Sequence, residues 1–313
     1  MPVRVHFLNV GHGDCTVVEH ASGNITLIDL NNGSDLDPES VAEIAETFGT
    51  QLRWDLLAAP VRQQLFEGGY DVPLTNPIEF LHNTYPGRPI FRYVQTHPDL
   101  DHMRGISALN CGFRIINFWD TAHTKMPDLQ DWDQEDWGAY QGLRAGAGGW
   151  VRVMRLNRGA RAPYYNSDDN MGLGDGLDIL SPFPELTAWA NGRGDSNELS
   201  YVLRLSHAGR SVILGGDAGE MAWTQMVAAY GNALKCDVLK ASHHGRGSGY
   251  HMEAVRHMKP LLTVVSVGRK PDTDATSKYR RFSGQVASTR WSGEITLTIA
   301  DDGRLSLRKQ FER

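Results

Sequence analysis

The sequence predicts a protein of the α/β or α+β class, in which helices cover one or more sheets. Short apolar runs typical of strands dominate the 313-residue chain, and only a few helical segments lie between them. No internal repeat, low-complexity segment or Pro/Ser-rich linker interrupts it. By its length, the chain is one large domain or two ordinary ones.

Most of the predicted elements are strands. Three alternating runs begin the chain and are separated by the turn of residues 11–14 and by a second turn at 21–24. Helices are predicted over 39–48, behind Pro38, and over 221–230. Residues 120–175 are rich in Trp, Asp, Gly and Arg, which predicts an irregular insertion. The predicted strands are 3–10, 15–19, 25–29, 90–94, 177–180, 200–205, 211–214, 238–240, 262–267, 294–299 and 305–307.

Composition excludes some classes of function. The chain has 31 Lys and Arg against 37 Asp and Glu, a net charge of −6, which argues against non-specific coating of nucleic acid. A site charged by metal ions stays open. Cys15, Cys111 and Cys236 lie far apart, which argues against a disulfide framework or a cysteine zinc site. Without a signal-peptide pattern or a long apolar stretch, we expect a cytoplasmic protein with no membrane partner.

The strongest motif follows the predicted strand 90–94. His97, Asp99, Asp101 and His102 are potential metal ligands within six residues. On an extended segment, alternation would place the first three on one side, and His102 would point back to a second ion. The alternative is a solvated acidic loop, which we do not favour because such density of His and Asp after a buried strand has few structural reasons.

Two further strands end in candidate ligands. Gly215 and Gly216 lead to Asp217, which could bridge two cations, although a strand followed by Gly and Asp is also a common turn. The strand 238–240 ends in His243 and His244. Together, the three strand ends predict a dinuclear site with nitrogen and oxygen ligands, where a metal-bound hydroxide is available because the pKa of water falls towards about 7.

These motifs resemble the metallo-β-lactamase superfamily. Residues 97–102 are similar to its H-x-H-x-D-H motif, with Asp99 where the second His usually stands. More narrowly, the chain resembles the hydrolase domain of ComEC-type DNA-uptake proteins and their stand-alone relatives. The further similar stretches are 9–15 (to D-V-G-Q-G-D-A), 28–29 (to I-D), 196–203 (to N-x-x-S-L-V-L), 240–245 (to L-K-x-x-H-H-G-S) and 266–268 (to I-S-V-G).

The resemblance implies an αββα sandwich of two mixed sheets with outer helices and metal ions at one edge. It covers about 1–30, 88–118 and 175–300, so we expect a single domain over 1–313 with insertions at about 32–88 and 120–175. It also implies two divalent ions, Zn²⁺ or Mn²⁺, because carboxylate-rich sites suit Mn²⁺ as well. The implied metal ligands are His97, Asp99, Asp101, His102, Asp217 and His243.

The sequence departs from the family at several positions. His12 replaces Gln, Leu30 and Asn31 replace T-G, and Arg246 replaces Ser after H-H-G. In the family, one of the two metal ions has a third histidine ligand, and this sequence has no clear counterpart of it. Asp195, Asn197 or water could take its place.

The function that we expect is a metal-dependent hydrolase, foremost a phosphodiesterase or nuclease acting on nucleic acid or a nucleotide. Asp101 and His244 are the predicted catalytic residues, and His244 or water would protonate the leaving group. The alternatives are a small-molecule ester, lactone or amide hydrolase, or a non-enzymatic binding module with a degenerate metal site. Asp14 either stabilises the turn by bonding to the backbone or contacts the metal ligands and orients them. The same two alternatives apply to His12.

Overall fold

The strands that the structure describes form two large sheets and a small one. A computed structural model describes residues 1–33, 38–47, 70, 74–126, 129, 131–147, 149, 151–162, 165, 174–268, 270 and 272–312. In chain order, its strands are β1 (Val3–Phe7), β2 (Thr16–Glu19), β3 (Ile25–Ile28), β4 (Leu30–Asn31), β5 (Ile90–Val94), β6 (Met103–Arg104), β7 (Ile115–Trp119), β8 (Arg152–Met154), β9 (Leu177–Ser181), β10 (Val202–His207), β11 (Arg210–Leu214), β12 (Val238–Lys240), β13 (Leu262–Val265), β14 (Gln285–Ser288), β15 (Ile295–Ile299) and β16 (Leu305–Lys309).

Both large sheets mix parallel and antiparallel pairs. The eight-stranded sheet has the order β16-β15-β1-β2-β3-β5-β7-β8, and the six-stranded sheet has the order β14-β13-β12-β11-β10-β9. The N-terminal strands β1, β2 and β3 pair antiparallel, as the turns between them predict. Strand β5 runs parallel to β3 and β7, and β11 runs parallel to β12.

The core lies between the two large sheets. Val5 and Phe7 of β1 share one apolar cluster with Leu203 of β10 and with Val212 and Leu214 of β11. Side chains alternate across a strand, so the residues between these positions face outward. The two sheets therefore pack face to face through every second side chain.

Helices cover the two outer faces. Leu81, Ile106 and Tyr140 lie in three helices that pack on the outside of the eight-stranded sheet. Trp223 and Val255 belong to helices on the outside of the six-stranded sheet. The predicted αββα sandwich is confirmed. The α-helices among the described residues are Pro38–Thr47, Pro77–Thr84, Ile106–Gly112, Asp131–Arg144, Pro184–Arg193, Glu220–Tyr230, Met252–Met258, Thr276–Tyr279 and Thr289–Ser292.

The segment 120–175 is more regular than its composition predicts. It contains the helix Asp131–Arg144 and the strand β8, so the expectation of irregular structure is wrong for these residues. The helix forms because Trp137, Tyr140 and Leu143 recur at helical spacing and bury one stripe against the sheet. Residues 163–164 and 166–173, and most of 34–73, lie outside the described residues, so the limits of both insertions stay predictions.

Among the helices that the structure describes, none has the length and apolar character needed to cross a bilayer.

Candidate metal centre

Three strand ends from the two sheets meet at one edge of the sandwich. His97 comes three residues after β5, Asp217 three residues after β11 and His243 three residues after β12. Main-chain hydrogen bonds hold these loops in place: His243 N donates to Gly216 O (3.0 Å), and Tyr201 N, just before β10, donates to Thr96 O (3.1 Å). Residues far apart in the sequence therefore face one another across the gap between the sheets.

One carboxylate oxygen lies at the centre of this edge. Asp217 Oδ2 is 3.8 Å from His97 Nε2 and 3.4 Å from His102 Nε2. The same oxygen is 3.8 Å from His243 Nε2 and 3.7 Å from His244 Nε2. Two ligands about 2.1 Å from a shared tetrahedral ion lie about 3.4 Å apart, so these separations suit nitrogen and oxygen ligands of common ions.

The other ring nitrogen of each histidine is used outside the cluster. His102 Nδ1 is 2.7 Å from Asp29 Oδ2, and His244 Nδ1 is 3.1 Å from Ser266 O. His97 Nδ1 is 3.0 Å from Thr96 Oγ1. Because a carboxylate or carbonyl oxygen can only accept, a neutral His102 or His244 carries its proton on Nδ1 and aims the Nε2 lone pair at Asp217.

Several buried atoms of the cluster are unsatisfied. Within the described part of the chain, no partner meets hydrogen-bond geometry at His97 Nε2, His102 Nε2, His244 Nε2 or Asp217 Oδ1. Buried polar atoms nearly always have a partner, so a group of them aimed at one point indicates a missing ligand. The residues present therefore fit a divalent metal ion.

A 3₁₀ turn divides the H-x-D-x-D-H segment. Residues Leu100–His102 form this turn, so the expectation that His97, Asp99 and Asp101 share one side of an extended segment is wrong. The turn places Asp101 Oδ2 3.3 Å from His244 Nε2, whereas Asp99 Oδ1 lies 3.7 Å from His97 Nε2. We therefore distinguish an inner half with Asp101, His102 and His244 from an outer half with His97, Asp99 and the more exposed His243, and Asp217 Oδ2 faces histidines of both halves.

The N-terminal loop supports the inner half. Asp14 N donates to Asp101 O (3.2 Å), and the buried Lys240 Nζ donates to Asp14 Oδ2 (2.7 Å). Asp14 also lies in a buried group with His102, Asp217 and His244, in which one ligand atom of each is within 4.8 Å of the others. A Cβ at Gly13, whose φ is +150°, would come within 2.5 Å of Asp101 O, so this approach requires glycine. Of the two alternatives for Asp14, the geometry favours support of the site.

The charges of the cluster depend on one another. Burial alone would raise the pKa of Asp217, but the imidazoles of His102, His244 and His97 hold it well below its usual range. Burial would lower the pKa of His102, but the carboxylates of Asp217, Asp29 and Asp101 raise it well above its usual value. The buried carboxylates therefore demand positive charge, which protons on the histidines or metal ions can supply.

The backbone is strained at this edge. Asp29, His243 and His244 have left-handed φ values of 56°, 49° and 53°. Residues other than glycine adopt this region at a cost of about 1–3 kcal/mol, and such strain concentrates at functional sites. Here it turns the adjacent His243 and His244 so that both reach Asp217.

The surroundings of His243 and His244, and the contacts of residues 195–197, differ from those that the sequence predicts. His244, which we expect to be free for proton transfer, is fully buried between Asp101 and Asp217, whereas His243 is partly exposed. Between Asp195 and Asn197, it is Ser196 whose hydroxyl donates to Asp99 Oδ1 (3.2 Å).

Sequence reasoning missed Lys125. Its Nζ lies 2.6 Å from Asp99 Oδ1, inside the outer half of the cluster. It follows β7 in the segment that composition marks as an insertion, and no local motif singles it out. Its place six residues after the buried strand β7 is a weak signal, because His97, Asp217 and His243 each come three residues after their strands.

The fold is a sandwich of two mixed sheets, and the site is a cluster of histidines and aspartates at one edge of it. Together they define the class of protein that the metallo-β-lactamase resemblance implies. The chain is 29% identical to ComE operon protein 3 of Bacillus subtilis (strain 168) over 128 residues. This match covers 39% of the chain and only 16% of that protein, and it supports the ComEC-type resemblance of the motifs.

Similar solved structures include two proteins of low sequence identity. The metallo-β-lactamase fold protein YhfI from Bacillus subtilis has a TM-score of 0.44 and 10% identity, with 98% of this chain and 100% of YhfI covered. Igni18, a metallo hydrolase from Ignicoccus hospitalis KIN4/I, has a TM-score of 0.46 and 15% identity, with both chains fully covered (100%). TM-scores this low carry no argument about activity. No protein-family model matches the chain.

Proposed function

We propose that this protein is a metal-dependent hydrolase and that its substrate is a phosphodiester, as for a nuclease or a nucleotide hydrolase. One observation carries the proposal: imidazole nitrogens of His97, His102, His243 and His244 surround Asp217 Oδ2 at 3.4–3.8 Å. Divalent ions bound there would lower the pKa of water beside the substrate and offset the charge of phosphate oxygens.

The donor set supports two ions, Zn²⁺ or Mn²⁺. Asp101, His102 and His244 would hold one ion with Asp217, and His97, Asp99 and His243 would hold the other with the same carboxylate. Imidazole suits Zn²⁺, and the large share of carboxylates suits Mn²⁺. Asp29 would orient His102 through the 2.7 Å contact with its Nδ1, which fixes the direction of the Nε2 lone pair.

A fixed positive charge at the rim favours an anionic substrate. Arg246 Nη2 donates to His12 Nε2 (2.9 Å), and His12 lies in a group with Asp101 and His244 whose ligand atoms are within 4.8 Å of one another. A guanidinium binds phosphate oxygens through paired N–H groups. Arg246 would therefore hold a phosphodiester beside Asp101. The resemblance to ComEC-type DNA-uptake proteins supports the same substrate class.

His244 would act as a metal ligand, and the leaving group would take its proton from water. His244 Nδ1 donates to Ser266 O, and His244 Nε2 faces Asp101 and Asp217. Neither ring nitrogen is then available to a departing oxygen.

The test is hydrolysis of phosphodiesters by the purified protein. Chelator-treated protein is supplied with Mn²⁺ or Zn²⁺ and given labelled single- and double-stranded DNA, RNA and bis(p-nitrophenyl) phosphate, with an ester and a lactone as comparison. We expect metal-dependent turnover of at least one phosphodiester, and its loss in Asp101→Ala. The control is Asp178→Ala, because the Asp178 side chain is 41% exposed in β9 and faces Arg161 at 3.8 Å.

Two outcomes would contradict the proposal. If the protein hydrolysed the ester or lactone but none of the phosphodiesters, the proposed substrate class would be wrong. Full phosphodiester turnover in Asp101→Ala would show that the inner half of the cluster is not the site.

A further inference from the structure

The outer half of the cluster already contains a cation of the protein. Asp99 Oδ1 faces His97 Nε2 at 3.7 Å and accepts a hydrogen bond from Lys125 Nζ at 2.6 Å. The same oxygen also accepts from Ser196 Oγ at 3.2 Å. An ion held between His97 and Asp99 would have to share this oxygen with the ammonium or displace it.

Lys125 is held in place by a buried chain of hydrogen bonds. Its backbone N donates to His123 Nδ1 (3.0 Å), and His123 Nε2 is 2.6 Å from Tyr140 OH. Tyr140 OH donates to Asp120 Oδ1 (2.6 Å), and Arg144 Nε is 2.8 Å from Asp120 Oδ2. Because Asp120, His123 and Tyr140 are all buried, the loop that presents Lys125 is fixed by the core of the helix Asp131–Arg144.

The two halves of the centre are therefore unequal. The inner half pairs the carboxylate of Asp101 with the imidazole of His244, both of which are donors to an ion. In the outer half, the ammonium of Lys125 and the carboxylate of Asp99 are about equally exposed, at 29% and 28%, so the pair can open towards solvent. An ammonium cannot ligate an ion, and it repels one at short range.

We propose that Lys125 makes this metal centre asymmetric: the inner half binds one divalent ion tightly, and the outer half admits a second ion only when Lys125 leaves Asp99. This inference rests on the proposed metal-dependent function. It assigns Lys125 as a positioning residue that tunes affinity for the second ion, without touching the reacting atoms.

The test is a calorimetric titration of chelator-treated full-length protein with Mn²⁺ and, separately, with Zn²⁺. In the wild type we expect one tight equivalent and a second equivalent at least tenfold weaker. Lys125→Met should tighten the second equivalent at least tenfold and leave the first unchanged. Lys125→Arg, which keeps the charge, should behave as the wild type does, and so should Lys235→Met on an exposed loop.

Equal affinities for two ions in the wild type would overturn the inference, and so would a second equivalent that Lys125→Met leaves unchanged or weakens. These failures are distinct from failure of the proposed function. If the wild type binds neither metal, the metal-dependent function itself falls. If it binds metal and hydrolyses a phosphodiester while Lys125→Met binds as the wild type does, only the role of Lys125 falls.

Discussion

Replacing Asp217 by Asn should abolish stabilisation of the protein by metal. The substitution keeps the shape of the side chain and removes the charge that lies within 3.4–3.8 Å of the four imidazoles. Since Asp217 faces histidines of both halves of the cluster, its loss should weaken binding of an ion to either half.

The magnitude follows from chain length and burial. At a metal concentration of about 100 times the Kd, binding stabilises the folded state by about 2.7 kcal/mol. A chain of 313 residues has an unfolding entropy of about 0.66 kcal/mol/K, so its Tm should rise by about 4 °C. Loss of a buried charge partner costs about 3 kcal/mol, which weakens binding about 160-fold. At the same metal concentration, Asp217→Asn would then gain about 0.4 °C.

The assay is thermal unfolding followed by circular dichroism, with and without Mn²⁺, at a fixed excess of metal. Asp178→Asn serves as the matched control, because the Asp178 side chain is 41% exposed and lies in β9, outside the strand ends that form the cluster, and it should keep the full shift. The far-ultraviolet spectrum shows whether Asp217→Asn is folded. A folded variant that keeps the full rise in Tm would refute the shared-ligand geometry.

The remaining predictions concern the histidines. His244→Gln should remove the tight equivalent in a calorimetric titration, whereas His243→Gln should keep it and lose only the weaker one; the reverse order would contradict the assignment of the two halves. Burial lowers the pKa of His20 from 6.5 to about 4, and its ring nitrogens contact Asp175 O and Thr26 Oγ1. The unfolded chain therefore binds more protons between these pH values, and stability falls as the pH drops through this window; from pH 7 to pH 5 the contribution of His20 to this fall is about 2 kcal/mol. Urea unfolding at both pH values should show a smaller fall in His20→Gln, and equal falls would exclude this role.

Much of the fold follows from local patterns in the sequence. Short apolar runs locate β5 at its observed bounds and β11 to within one residue, because both strands bury side chains on both faces. Polar residues placed directly after such strands also locate His97 and Asp217. The end of the strand predicts where the residue lies, and the type of side chain predicts that it is a metal ligand.

Other features depend on contacts between distant segments. The 3₁₀ turn at Leu100–His102 is held in part by the N-terminal loop, where Asp14 N donates to Asp101 O. The place of Lys125 depends on a network that runs through Tyr140, fifteen residues further along the chain. The stripe of Trp137, Tyr140 and Leu143 is visible in the sequence, but many polar residues of the same helix mask it.

The ion pair of Asp14 and Lys240 joins positions 226 residues apart. During synthesis, the aspartates near position 100 leave the ribosome long before the histidine pair exists, and both sheets must close before these groups meet. A chain that ends before residue 244 contains only part of the cluster. The proposed metal site can therefore form only after both sheets have closed.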